Sequence, residues 1–186
     1  MIPLPPPLQA PEPPSAGTPL ATLPTPFPGP AQALRSADGR WLLVHAPAQA
    51  GDPVLKGAHG LYLLDLKGGG TSRLLTYGRH ADACFSPDGR HLLVTEWTAA
   101  DAAQVRLYRL EGAPVRLSLD RWIGAFLKGA QASSLQGLGW SDAHTFRLQW
   151  WGYGGEAERK SFRRGLEVRL DDGVREVYPK EPESSR

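Results

Sequence analysis

From residue 31 onward, short apolar runs alternate with turn residues along the chain. The runs are four to eight residues long and rich in Leu, Val and aromatic side chains, and Gly, Pro and Asp separate them. This spacing is typical of antiparallel β-strands that are joined by tight turns. The pattern therefore predicts an all-β domain over residues 31–180.

One stretch of this pattern occurs twice, 50 residues apart. Residues 33–46 read A-L-R-S-A-D-G-R-W-L-L-V-H-A, and residues 83–96 read A-C-F-S-P-D-G-R-H-L-L-V-T-E. In the shared S-x-D-G-R, the Asp side chain can bond its own backbone and Gly supplies a positive φ, so the motif predicts a hairpin turn. A degenerate third copy starts at Trp140, with Ala143 where Gly would stand.

Each copy is followed by two more strand-like runs that are joined by a short Gly-containing turn. These runs are residues 59–66 and 71–77 after the first copy, 104–110 and 114–119 after the second, and 161–170 and 174–178 after the third. Because a repeat of fixed period indicates stacked copies of one supersecondary unit, the sequence predicts three four-stranded antiparallel units.

One connection between the units carries a helical pattern. Leu119, Trp122, Ile123, Phe126 and Leu127 follow helical spacing, which predicts a short helix near residues 119–128. Ser118 is a candidate N-cap. The apolar stripe has two interpretations. Either the helix packs over the rim of the domain, or Trp122, Ile123 and Phe126 contact a partner or a second copy of the chain.

The repeat resembles a known family. The run G-L-Y-L-L-D-L-K-G-G-G-T-S-R-L-L-T, followed by D-A-C-F-S-P-D-G-R-H-L-L-V-T, looks like the TolB-type β-propeller repeat. The match is specific over residues 60–96 and weaker over 31–59 and 135–178. The resemblance implies four-stranded blades arranged radially, a location in the bacterial periplasm or cell envelope, and in some members a propeller attached to a peptidase. In that family the S-P-D-G serine is a turn residue and not a nucleophile.

The number of blades raises a question of closure. Closed propellers have about four to eight blades, whereas this sequence offers three. Three blades leave strand edges and two end faces unpaired. We expect self-association as a homodimer, completion by a protein partner, or an open array, and a C2 dimer is the first expectation because it is the commonest homo-oligomer.

The two ends of the chain differ from the domain. Residues 1–30 hold 12 of the 18 prolines, which predicts a mostly disordered leader, and residues 181–186 form a flexible tail. Within the leader, residues 20–26 are a candidate edge strand, because Pro24 and Pro26 are tolerated only at an edge.

The predicted loops concentrate on one face of the blades. The first-to-second and third-to-fourth turns are tight and share one face, which we call the turn face. The longer segments 47–58, 98–103, 152–160, 78–81 and 120–134 share the opposite face, which we call the loop face. Long loops on a rigid scaffold favour binding. The candidate ligand or partner residues of the loop face are Trp97, Trp151, Tyr153, Arg79, His80 and Glu96.

Composition excludes several function classes. A net charge of +2 without a basic cluster does not favour nucleic acid. The five histidines show no metal-ligand spacing, and the sequence has neither a G-x-S-x-G elbow nor a phosphate-binding loop. We therefore predict no catalytic residue, no metal and no cofactor, and we interpret the lone Cys84 as a buried thiol. No apolar run is long enough for a transmembrane helix.

The function hypothesis from sequence is a non-catalytic protein-interaction or scaffold module of propeller type. The first alternative is a carbohydrate- or peptide-binding module that uses the loop-face aromatics, and the second is a propeller fragment of a hydrolase. No signal peptide is visible, so a cytoplasmic location is the alternative to the envelope.

Overall fold

The computed structural model describes residues 32–47, 59–127, 130–154, 160–171 and 173–176. The predicted leader (1–30) with its edge strand (20–26), most of the loop 47–58 and the tail (181–186) lie outside the described residues. Among the described residues, no helix is long and apolar enough to cross a bilayer.

The described strands form three four-stranded antiparallel sheets, each in sequence order, which confirms the predicted fold class. Blade 1 consists of β1 (Gln32–Arg35), β2 (Trp41–Pro47), β3 (His59–Asp65) and β4 (Thr71–Tyr77). Blade 2 consists of β5 (His80–Phe85), β6 (His91–Trp97), β7 (Ala103–Arg109) and β8 (Val115–Leu117). Blade 3 consists of β9 (Ala130–Trp140), β10 (Thr145–Gly154), β11 (Lys160–Arg169) and β12 (Gly173–Glu176).

The two S-x-D-G-R turns have the same hydrogen bonds. In blade 2, Ser86 Oγ donates to Asp88 Oδ1 at 2.6 Å and accepts from the His91 N–H at 2.9 Å. Blade 1 repeats both bonds at the same lengths around Ser36. Gly39 and Gly89 both have φ 71°, the left-handed region that favours glycine. The repeated residues therefore build one turn twice.

The third turn is built differently. Ser141 N–H donates to the Thr145 carbonyl at 2.8 Å, four residues on, whereas the Ser36 N–H reaches Trp41, five residues on. Asp142 accepts the His144 N–H at 2.8 Å. All positive φ values of the described residues belong to glycines, so Ala143 does not need one. The shorter turn explains why the third copy lacks Gly.

A backbone bond joins the two tight turns of every blade. It runs from the first residue after β3, β7 or β11 to the turn before β2, β6 or β10, and it measures 2.7–2.9 Å: Leu66 to Arg40, Leu110 to Arg90, and Leu170 to His144. These turns therefore share one face of the array, as the sequence predicts.

The core lies between the blades. The faces of blades 1 and 2 enclose an apolar cluster that includes Trp41, Leu61, Tyr77, Leu92 and Tyr108. A second cluster lies between blades 2 and 3 and includes Leu93, Leu107, Phe146, Trp150 and Leu166. Blade 2, the middle blade, thus buries both of its faces, which is how stacked repeats gain stability.

A helix joins blades 2 and 3. α1 spans Asp120–Leu127, one residue shorter at each end than predicted. Ser118 Oγ accepts the Asp120 N–H at 3.3 Å. The predicted connection 120–134 is too long, because β9 already begins at Ala130. Its first residues, A-Q-A-S-S, carry no apolar alternation, and pairing with the far end of β10 makes them a strand.

The two outer faces of the array differ in polarity. On blade 1, Leu42, Val44, Ala46, Tyr62 and Leu64 form an apolar cluster, and each is at most 8% exposed. On blade 3, alternation along β10 and β11 places polar residues on the face opposite the core. They include Arg147 and Glu167, whose side chains are 3.4 Å apart, together with Gln149 and Arg169.

Candidate functional site

Two indole rings from different blades meet on the loop face. Trp97 ends β6 of blade 2, and Trp151 lies in β10 of blade 3. Their ring centroids are 6.0 Å apart and their planes are inclined by 32°. Both residues are only partly buried. The structure therefore brings together these two of the six residues that sequence reasoning assigned to this face, and His80 joins them through Asp82.

Asp82 holds the first indole and an imidazole. Its Oδ2 accepts the Trp97 Nε1–H at 3.1 Å, and its Oδ1 lies 2.7 Å from His80 Nε2. The side chains of His80 and Asp82 are 64% and 53% exposed. The side chains of both residues lie on the same face of β5, because residues two positions apart in a strand share a face.

The loop between β6 and β7 holds the second indole. The backbone carbonyl of Asp101 accepts the Trp151 Nε1–H at 2.9 Å and the Ser134 hydroxyl at 3.2 Å. This carbonyl therefore ties blade 2 to two strands of blade 3. We call the group Trp97, Trp151, His80, Asp82, Asp101 and Ser134 the indole site.

The other predicted loop-face residues lie elsewhere. Arg79 is exposed in the connection between β4 and β5. Glu96 forms an ion pair with Arg106, and its side chain is only 14% exposed. It is a structural residue of blade 2 and not part of a displayed surface, because it shares a face of β6 with the core residue Val94. The side chain of Tyr153 lies outside the described residues.

The helix residues pack inward. Ile123 is 1% exposed within the core between blades 2 and 3. Trp122 packs against the same cluster, and its Nε1–H donates to the Leu170 carbonyl at 3.2 Å. This placement agrees with the rim-packing interpretation of α1. The side chain of Phe126 lies outside the described residues.

Imidazoles also line the loop face at blade 1. His45 Nδ1 and the Tyr77 hydroxyl are joined by a hydrogen bond of 2.8 Å. His59 stacks on the Tyr77 ring with centroids 5.5 Å apart. Burial lowers the pKa of His45, and the nearby His80 lowers it further because two positive charges would repel each other.

The turn face holds an open cleft of about 510 Å³ between blades 1 and 2. Its lining includes residues of both copies of the repeated turn: Asp38, Arg40 and Trp41 from the first, and Asp88, Gly89 and Arg90 from the second. The charged groups bind one another: Arg40 lies 2.8 Å from Asp65 and holds the pKa of that carboxyl far below its usual range. These groups stabilise the turns, and the cleft is not our candidate site.

The potential nucleophiles are protonated or occupied. Burial raises the pKa of the Cys84 thiol to about 12, and the negative charge of Asp82 acts in the same direction. The Ser86 hydroxyl is 1% exposed and both donates and accepts within its turn. Within the described ranges, no group of His, Cys, Asp and Glu side chains is arranged to hold a metal ion.

Sequence reasoning missed three residues of the indole site. Asp82 carries a signal, because H-x-D places it on the same strand face as His80, yet the pair looks like ordinary loop polarity. Asp101 takes part through its backbone, which no side-chain pattern reveals. Ser134 lies in the segment that was predicted to be a loop.

Solved structures similar to this chain include a β-propeller domain and TolB. The β-propeller domain of the Trilobed protease from Pyrococcus furiosus, which has an open velcro topology, is 12% identical with a TM-score of 0.47, over 81% of this chain and 44% of that chain. TolB from Acinetobacter baumannii is 17% identical with a TM-score of 0.46, over 83% of this chain and 34% of that chain. The protein lmo1340 from Listeria monocytogenes EGD-e is 12% identical with a TM-score of 0.42, over 82% of this chain and 41% of that chain.

The chain spans less than half the length of these structures. TolB, whose repeat the S-P-D-G motif resembles, is among them. No protein-family model matches the chain, and no curated protein matches it. The three four-stranded meanders with their cores between blades are of the β-propeller type.

Proposed function

We propose that this chain is a non-catalytic binding module of propeller type, and that the indole site is its ligand site. The observation that carries the proposal is the pair of partly exposed indoles, Trp97 and Trp151, which two different blades hold 6.0 Å apart. Aromatic side chains with a few fixed polar neighbours are typical of ligand sites.

The hydrogen bonds that fix the two indole rings favour ligand binding over simple packing. Each indole N–H has its own acceptor, from Asp82 and from the Asp101 carbonyl. Rotation of either ring would break a hydrogen bond, so the two ring faces are held in place before a ligand arrives. Preorganisation of this kind increases affinity because less conformational entropy is lost on binding.

The occupied serine and the protonated thiol support a non-catalytic role for the described residues. A propeller domain that belongs to a larger hydrolase is compatible with this role, because such a domain would bind and not cleave. A hydrolysis assay on the chain alone, with peptide and glycoside substrates, should therefore give no turnover.

Closure of a six-bladed ring by two copies is disfavoured by the two faces that would have to meet. In such a ring, the outer face of blade 1 would meet the outer face of blade 3 in the second copy. The apolar residues of that blade 1 face are each at most 8% exposed, so they offer little surface to a second copy. The blade 3 face carries Arg147, Glu167 and Arg169. Burying charges against apolar side chains is unfavourable unless the charges are fully paired. A protein partner would instead approach the loop face.

We place the module in a bacterial cell envelope, because the TolB-type repeat that the sequence resembles is typical of envelope proteins. Cell fractionation with an antibody against the chain would test the location, and recovery of the full-length protein in the cytosol alone would contradict it.

Surface plasmon resonance tests the ligand site. The immobilised chain would be screened against neutral and acidic oligosaccharides, peptides and quaternary ammonium compounds. We expect at least one class to bind, and we expect the double variant Trp97→Ala/Trp151→Ala to lose that binding. Arg90→Ala, a matched change on the turn face, should keep it. Binding that survives the double variant, or no binding in any class, would contradict the proposal.

A further inference from the structure

We infer that the indole site binds a neutral saccharide through the C–H face of a pyranose ring. This inference rests on the proposed function, because it names the ligand class of that same site. It follows from the parts of the two indole rings that remain available to a ligand, from the polar groups beside them and from the charges around them.

The rings offer only their faces and their C–H edges. The Trp97 N–H is bound to Asp82 at 3.1 Å and the Trp151 N–H to the Asp101 carbonyl at 2.9 Å. Neither indole is therefore free to donate to a ligand in this arrangement. Each indole face is flat, weakly polar and fixed in orientation, so it suits a ligand that presents a flat apolar face, and a pyranose with its axial hydrogens on one side is such a ligand.

Polar groups that suit hydroxyls lie beside the rings. Asp82 uses one lone pair of each oxygen on His80 and Trp97, and an ionised carboxylate has about four acceptor positions. The exposed His80 imidazole adds a second polar group at the same edge. A carboxylate with free lone pairs can accept two neighbouring hydroxyls, which is the donor pattern of a sugar ring edge.

The charges near the rings do not favour an ionic ligand. Asp82 and the exposed Asp101 contribute negative charge. Arg163 lies directly opposite Trp151 in the β10–β11 register, and its side chain is exposed. With both signs present around the pair, neither an acidic sugar nor a quaternary ammonium group gains a consistent electrostatic attraction.

The position of the site also disfavours an extended peptide. A peptide strand gains its affinity from main-chain hydrogen bonds along an open sheet edge. Trp97, by contrast, stands at the end of β6, an inner strand of blade 2, and presents a side chain. The surface is therefore suited to stacking and not to strand addition.

Calorimetry with defined oligosaccharides tests the inference. The probes are cellotetraose and tetra-N-acetylchitotetraose as neutral ligands, tetragalacturonate as an acidic one, and an uncharged ten-residue peptide. We expect a neutral probe to bind, and we expect Trp97→Ala and Trp151→Ala each to weaken it by about tenfold or more, which corresponds to about 1.4 kcal/mol. Arg90→Ala should leave the affinity unchanged.

Conservative variants distinguish a loss of binding from a loss of the fold. Trp97→Phe and Trp151→Phe keep an aromatic face and should retain more affinity than the alanine variants, with circular dichroism confirming that each variant is folded. If only tetragalacturonate or the peptide binds, and the same variants weaken it, the saccharide inference is wrong while the proposed function stands. If no probe binds folded wild-type protein, the inference is also wrong, and the wider ligand screen decides the proposed function.

Discussion

At the scale of single residues, the repeated motif is a hydrogen-bonding device. One serine hydroxyl in each of the first two turns donates to an Asp and accepts from the backbone, and one Gly provides a positive φ. The residue types were sufficient to predict this turn, because Ser, Asp and Gly have local roles that need no distant partner. Asp82 and Asp101 could not be assigned in the same way, since their partners depend on how the blades pack.

The two kinds of turn give a matched pair of variants. Ser86→Ala removes the acceptor of the His91 N–H and the donor to Asp88, so we expect it to lower the free energy of unfolding by about 1–2 kcal/mol. Ser141→Ala, at the corresponding position of the third turn, changes an exposed side chain and should cost less than about 0.5 kcal/mol. Urea denaturation measures both, and equal effects would contradict this account of the repeat.

His45 gives the stability a pH dependence. Its pKa is lowered in the folded protein, first by burial and then by His80, from an ordinary value of 6.5. The unfolded chain therefore binds the proton more readily, and stability should fall as the pH drops below about 6.5 toward the folded pKa. His91, whose pKa burial also lowers, acts in the same direction.

Thermal unfolding at about pH 7.5 and about pH 5 tests the contribution of His45. The melting temperature of the wild type should fall between the two conditions. His45→Gln keeps a polar partner for Tyr77 but does not titrate, so its melting temperature should fall less. A larger fall in the variant than in the wild type would show that His45 is not the cause.

At the scale of elements, α1 shows how far a pattern can predict structure. The apolar spacing predicted the helix and its apolar stripe, because a period of 3.6 residues is specified locally. The start of β9 was missed, since its small polar residues carry no strand signal and only pairing with β10 orders them. Elements with their own periodicity were predictable, and an element that depends on a neighbour was not.

Trp122→Ala distinguishes the two interpretations of α1. Because Trp122 packs on the core and donates to the Leu170 carbonyl, we expect the variant to lower the free energy of unfolding by about 2–3 kcal/mol. Its mass in solution should equal that of the wild type. The control Ala125→Lys, at an exposed position of the same helix, should change stability by less than about 0.5 kcal/mol. A change of mass without a loss of stability would instead identify a partner-contact helix.

At the scale of the whole molecule, the polarity of the blade faces changes from blade 1 to blade 3. The middle blade lies between two apolar clusters, the far side of blade 1 carries a third apolar cluster that is itself buried, and the far side of blade 3 carries polar residues. A polar outer face and an atypical repeat are features of terminal units in repeat proteins. The sequence indicated three units, but the polarity of the ends follows only once the register assigns each residue to a face.

The central claim is that ligands bind at the indole site. The chain has six tryptophans, and each gives one indole N–H signal in a ¹H–¹⁵N NMR spectrum. On titration with the ligand class that binds, we predict that the signals of Trp97 and Trp151 move together and saturably. The signals of Trp41, which is buried between blades 1 and 2, and of Trp122 should stay in place. Saturable shifts confined to Trp41 or Trp122, with Trp97 and Trp151 unmoved, would contradict the account.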